Sequence, residues 1–201
     1  MLFFVTLYMQ EILHYSPIKA GAAYLPITAG FGLSGAISSQ LVTRIGTRPV
    51  LVAGALLGAT GVYYLSRVPV HGSYLGDVLP GMLVMALGMG SVFVAVTTAA
   101  NAGVPGDQAG LAAGLLNASQ QLGSALGLAI LSAIAITRTN GLLAAHTTRL
   151  GALAAGYHRG LLVGSIFMLG AAVIALRIGN TRAAAQLVLA PSDIAPEPAD
   201  S

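Results

Sequence analysis

The chain has 201 residues, 56% of them hydrophobic and 7% charged, against the roughly 25% Asp, Glu, Lys and Arg of an ordinary soluble domain. With 26 glycines and a mean hydropathy of +0.83, this is the material of membrane helices, where small residues let helices approach closely. The net charge of +3 comes from singly scattered basic residues with no basic stripe, which argues against a nucleic-acid partner, and the lack of cysteine excludes disulfides and thiolate chemistry.

The first apolar segment, 1–14, lacks the basic start of a signal peptide, and Gln10 and Glu11 interrupt it before any cleavage site. At 1.5 Å per residue it reaches only about 21 Å, short of the ~30 Å hydrocarbon core. The expectation is a truncated first helix, with the true start upstream or the chain a fragment of a longer one. The turn YSPIK leads to a full-length span over 20–42, which carries Ser34 and Ser38. TRIGTRP follows, placing Arg44 and Arg48 around Gly46, and Pro49 is suited to opening the next helix. Spans are predicted over 49–66, which holds Tyr63, then 78–100, 111–136 and 159–177, joined by RVPVHGSYLGD and NAGVPGDQ. Short links make consecutive helices antiparallel neighbours. The longer stretch 137–158 is rich in Leu and Ala and permits a short helix lying at the interface. From 178 to 201 a cytoplasmic tail is expected to be disordered, with three prolines and three acids in its last eleven residues. The predicted class is therefore an all-α integral membrane protein, a six-helix bundle with a truncated first helix, forming one membrane domain over 1–177 and bounded by the lipid bilayer.

The span 111–136 is the most informative. At 100° per residue Asn117, Gln120, Gln121 and Ser124 fall on one stripe, within about 100° of one another. Ser119, Gly123 and Gly127 form a small-residue stripe beside it, and Leu115, Leu122 and Leu126 lie opposite. Three amides at membrane depth either line a polar substrate pathway or make interhelical hydrogen bonds, since unsatisfied polar groups are costly there. The G-x-x-x-G spacing recurs at Gly54/Gly58, Gly106/Gly110, Gly110/Gly114, Gly123/Gly127 and Gly160/Gly164, and its concentration around 106–127 suggests a helix pressed against a neighbour.

No acid occupies the centre of a span. Glu11 is the acid with a claim to a proton site, the plainer reading being a helix-end carboxylate at headgroup level. His14, His71, His146 and His158 have no pair at helical ligand spacing, so no metal site is expected. Neither a Ser/His/Asp set nor a phosphate-binding loop is present, and no catalytic residue or cofactor is expected. Charge alone does not orient the chain. The side of TRIGTRP holds Arg44, Arg48, Arg177 and Arg182, and the other Lys19, Arg67, Arg138, Arg149 and Arg159.

TRIGTRP resembles a degenerate copy of the hydrophilic loop motif of the major facilitator superfamily, G-x-x-x-D-R/K-x-G-R/K-R/K. Arg44, Gly46 and Arg48 match its basic, glycine and terminal basic positions, whereas Ser39 replaces the first glycine and Thr43 the acid. QEILHYSPIKAGAAYLP is similar to a signature of the fourteen-helix drug:proton antiporters, with His14 in place of a glycine. VPGDQAGLAAGLLNASQQLGSALGLAIL is similar to their penultimate helix, with Gln120 where many members carry Arg. The resemblance covers residues 1 to about 180. It implies the C-terminal six-helix portion of a multidrug-type exporter in the bacterial plasma membrane, lacking the N-terminal half with which it would alternate. The implied activity is exchange of protons for a hydrophobic or cationic small molecule. Asn117, Gln120, Gln121, Ser124, Ser34, Ser38 and Tyr63 would then face the pathway, and Arg44, Gly46 and Arg48 would serve the cytoplasmic hinge. Gly110, Gly114, Gly123 and Gly127 would pack helices. Alternatives are a truncated, non-transporting remnant or a homodimeric six-helix scaffold or channel.

Overall fold

A computed structural model describes residues 2–69, 72–177, 179 and 180. Among them every regular element is helical, in agreement with the all-α class read from composition. The expected disordered tail over 178–201 lies outside the described residues apart from Gly179 and Asn180.

Helix α1 (Leu2–Leu7) runs directly into a π-helical turn, Tyr8–Ile12. Helix α2 (Pro17–Ala22) begins at Ser16, whose Oγ accepts from the Lys19 backbone N at 3.3 Å, with Pro17 filling a position where the missing N–H costs nothing. Helix α3 (Leu25–Ile45) ends at Gly46, and α4 (Thr47–Leu65) starts immediately beyond it. Gly46 has φ of +91°, a conformation that side chains disfavour, so this residue type lets the chain reverse between two membrane helices. A second π-helical turn, Tyr74–Val78, is held by Ser73 and Asp77 and leads into α5 (Leu79–Asn101). Helices α6 (Ala109–Ala144) and α7 (Arg149–Ala175) form a hairpin, its turn passing through His146 at φ of +59°.

Among the described residues, five helical stretches are long and apolar enough to cross a bilayer: Pro17–Ile45, Thr47–Leu65, Tyr74–Asn101, Gly106–Ala144 and Arg149–Ala175. Leu2–Ile12 is a shorter apolar helix. The protein is thus a multi-pass membrane protein. The stretch 137–158 does not form a separate interfacial helix; α6 continues to Ala144 and α7 begins at Arg149. Nothing in TRTNGLLA breaks the helix, because an isolated Gly141 costs only about 1 kcal/mol. At 1.5 Å per residue, the 36 residues of α6 reach about 54 Å, so this helix outruns the hydrocarbon layer.

Helix α4 lies against both α5 and α7, while α3 packs on α5 and α6 on α7. The long helices therefore neighbour one another in the order α6, α7, α4, α5, α3. Its larger core gathers at the end where α4 finishes, around the fully buried Phe4, Met9, Val62, Met82 and Met85. A smaller cluster of Val42, Val50, Leu51, Ala95 and Ala175 closes the end near Gly46. Between them the α4–α5 seam is made by glycines. A Cβ on Gly54 would lie 2.7 Å from Ser91 Cβ, and one on Gly61 2.8 Å from the Gly81 carbonyl. A Cβ on Gly88 would collide with the backbone of Gly54 and Gly58. Backbones this close are available only where the side chain is a hydrogen.

Candidate functional site

Asn117, Gln120, Gln121 and Ser124 occupy the first half of α6, all exposed on the bundle surface. Counted from the start of the helix at Ala109, they lie about 12 to 23 Å along its axis, which is membrane depth. Ser124 Oγ donates to the Gln120 carbonyl at 2.8 Å, and the neighbouring Ser119 to Leu115 at 2.8 Å, so both hydroxyls are satisfied within their own helix. The three amides make no hydrogen bond to any described residue. Lipid could not satisfy them either, so this stripe calls for a polar contact from outside the described chain.

The glycine stripe beside it is equally open. A Cβ placed on Gly110, Gly114, Gly123 or Gly127 would meet nothing within 4 Å. No described element presses on that face; α6 is held through its second half, where Leu131, Ala135 and Thr139 are buried against α7.

The remaining candidates fall in other places. Ser34 and Ser38, 4% and 3% exposed, sit in the α3–α5 seam. Ser38 Oγ donates to Ser91 Oγ at 2.8 Å, Ser34 and Ser91 hydroxyls are 3.0 Å apart, and Ser34 also donates to the Leu87 carbonyl. Tyr63 is at the far end of α4, where Arg67 Nη2 donates to its hydroxyl at 2.8 Å and lies over its ring. Glu11 is exposed in the π-helical turn after α1. These residues share neither a face nor a cavity with the α6 stripe.

Arg44 lies in the last turn of α3 and Arg48 in the first turn of α4, both exposed, with Gly46 buried between them. Asn180, just beyond α7, packs against Gly46, and its Nδ2 donates to the Ile45 carbonyl at 3.2 Å. The turn between α3 and α4 is thereby tied to the end of α7, and any side chain at position 46 would displace that contact.

Sequence reasoning missed several polar joints. Ser91 is the hub of the α3–α5 serines, and Thr139 donates to the carbonyls of Ala135 at 3.0 Å and Ala152 at 3.3 Å, bridging α6 to α7 where Gly156 leaves room. Tyr8 donates to the Pro69 carbonyl at 2.6 Å and Tyr74 to that of Ala23 at 2.5 Å, pinning loops to helices. Each looks like an ordinary hydroxyl in sequence, because its partner comes from a distant segment. A largely apolar cavity of about 470 Å³ lies between α1, α6 and α7, with Asn140, Arg149 and Tyr157 among its lining, and none of the sequence-predicted residues borders it.

The family model of the Major Facilitator Superfamily matches residues 1–128. A puromycin resistance protein of Streptomyces alboniger is 35% identical over 170 residues, covering 83% of this chain and 34% of its own length. A cephamycin export protein of Amycolatopsis lactamdurans is 33% identical over 142 residues, covering 69% of this chain and 29% of its own. A multidrug resistance protein, Stp, of Mycobacterium tuberculosis is 30% identical over 149 residues, covering 74% and 27% respectively. The chain spans between about a quarter and a third of the length of the curated relatives it matches.

Proposed function

This chain belongs to the Major Facilitator Superfamily, and we propose that it is the C-terminal portion of a multidrug-type efflux transporter, exporting a hydrophobic or cationic small molecule in exchange for protons. The observation that carries the proposal is the α6 stripe, in which Asn117, Gln120 and Gln121 stand exposed at membrane depth without a partner among the described residues. Relatives named for resistance to puromycin and for export of cephamycin support a substrate-carrying role. In this reading the three amides, with Ser124, border the pathway and receive the polar groups of a passing substrate. Gly110, Gly114, Gly123 and Gly127 let a helix of the opposing half close over α6. Arg44, Gly46 and Arg48 serve the cytoplasmic hinge, whose movement the Asn180 contact would couple to α7. Ser34 and Ser38 act one step back, holding α3 on α5, and Tyr63 braces the opposite end of α4. Among the described carboxylates, Asp77 is engaged by Ser73 and Asp107 lies in the turn before α6, which leaves Glu11 as the candidate for proton exchange.

The test is Gln121→Leu in a complete transporter carrying this sequence. Efflux of a lipophilic cation should fall while the amount of protein in the membrane is unchanged. Undiminished efflux with the variant present would reduce the stripe to helix glue, and a complete lack of proton-dependent efflux from the unaltered sequence would favour the non-transporting remnant.

A further inference from the structure

We propose that the cavity where α4 ends against the α6–α7 hairpin binds a phosphate-type oxyanion, supplied in the membrane by a phospholipid headgroup. This cavity, of about 430 Å³, is lined by Ser66, Arg138, Ala155, His158, Arg159 and Leu162. Arg138 comes from α6 and Arg159 from α7. Both are exposed, and neither forms an ion pair or hydrogen bond with any described residue. The same two arginines border a second space of about 480 Å³ beside Thr137, so the pair stands on a wall reachable from both. Two guanidinium groups brought to one wall repel each other unless an anion lies between them, and their planar donor forks suit phosphate oxygens.

His158 adds a third group. Its Nε2 is buried and has no hydrogen-bond partner among the described residues. A buried ring nitrogen left unmatched is costly, and a ligand reaching into the cavity would relieve it. Ser66 does not add a donor, because its hydroxyl is already given to the Tyr63 carbonyl at 2.7 Å. Among the described residues that line the space there is no carboxylate to compete for the arginines.

The level of the cavity points to lipid. Ser66 caps α4, whose 19 residues measure about 28 Å, close to the ~30 Å hydrocarbon core. The hairpin continues past that level: α6 runs about 9 Å beyond Arg138 to Ala144, and α7 starts about 14 Å before His158. The cavity therefore lies at the headgroup layer on the side away from Gly46, with Ala155 and Leu162 offering apolar wall to the first carbons of an acyl chain. This inference is independent of transport.

The full chain purified in a mild detergent would be incubated with phosphatidylglycerol or with inorganic phosphate alone and followed by native mass spectrometry and thermal melting. The unaltered chain should retain one phosphatidylglycerol, and Arg138→Gln with Arg159→Gln should weaken that retention at least about tenfold, as loss of two charge-assisted contacts requires. Arg138→Lys with Arg159→Lys should keep much of it, and Arg44→Gln with Arg48→Gln all of it. Both arginines are exposed, so the glutamine pair should melt as the parent does without lipid. Millimolar inorganic phosphate displacing the lipid would support the phosphate as the group held. Protection by inorganic phosphate with no lipid retained would support the oxyanion site and overturn the headgroup as its source. Equal retention by parent and glutamine pair, or equal loss in the Arg44 and Arg48 control, would overturn the proposal.

Discussion

The α4–α5 seam and the first half of α6 are built from the same ingredients and end in opposite conditions. Each carries glycines four residues apart and polar side chains at membrane depth. In the seam Gly54, Gly58 and Gly61 meet Gly81 and Gly88 backbone to backbone, and the nearby Ser91 is satisfied by Ser34, Ser38 and the Leu87 carbonyl. On α6 the glycines face open space and three amides go unmatched within the described chain. The spacing G-x-x-x-G thus states that a backbone can be approached closely. Only the arrangement of neighbours decides whether it is.

The largest effect should come from adding one methyl group to the seam. In Gly88→Ala the new Cβ would meet backbone atoms of Gly54 and Gly58, which cannot rotate away as a side chain could. Helices α4 and α5 would have to part, losing contacts along their length, at a cost of about 1–3 kcal/mol. Reversible unfolding in mixed micelles measures this. Stability equal to the parent would mean that the seam is looser than its geometry and would erase the contrast with α6.

This contrast also explains how much could be read in advance. The all-α membrane class was legible because apolar length and a shortage of charge are properties of the segment itself. Gly54 and Gly58 were visible as a spaced pair, but Gly88, their actual partner, has no matching glycine at that spacing on α5 and showed nothing. The hub role of Ser91 was hidden for the same reason: its partners lie more than fifty positions away. The polar stripe of α6 was legible as periodicity, whereas the placement of Ser34 and Ser38 in a different seam depends on which helices pack together. The end of α6 was misread because the Leu and Ala content of 137–158, taken as permitting a short interfacial helix, equally lets α6 and α7 extend through it.

A smaller effect should follow from Ser91→Ala. Ser38 loses its acceptor, and Ser34 keeps the Leu87 carbonyl. Orphaned serine hydroxyls in a helix can turn back to a carbonyl one turn earlier, as Ser124 does on α6. The expected loss is about 1 kcal/mol, read by the same unfolding titration. A loss as large as that of Gly88→Ala would shift the weight of the seam from backbone contact to hydrogen bonding.

The smallest effect is expected at Gly123→Ala, and its sign is what matters. A Cβ there meets nothing within 4 Å, so the methyl group should restrict the unfolded chain without straining the folded one, for a gain of about 0.5–1 kcal/mol. The same substitution would then be stabilising on α6 and destabilising at Gly88, although both glycines sit in the interiors of long apolar helices. A lower stability for Gly123→Ala in the purified chain would show that another surface already covers this face in the micelle, and crosslinking at Gln120 would identify whether that surface is a second copy. If the isolated chain is stabilised while a complete transporter carrying the same change loses efflux, the glycine face is one that closes only against the opposing half.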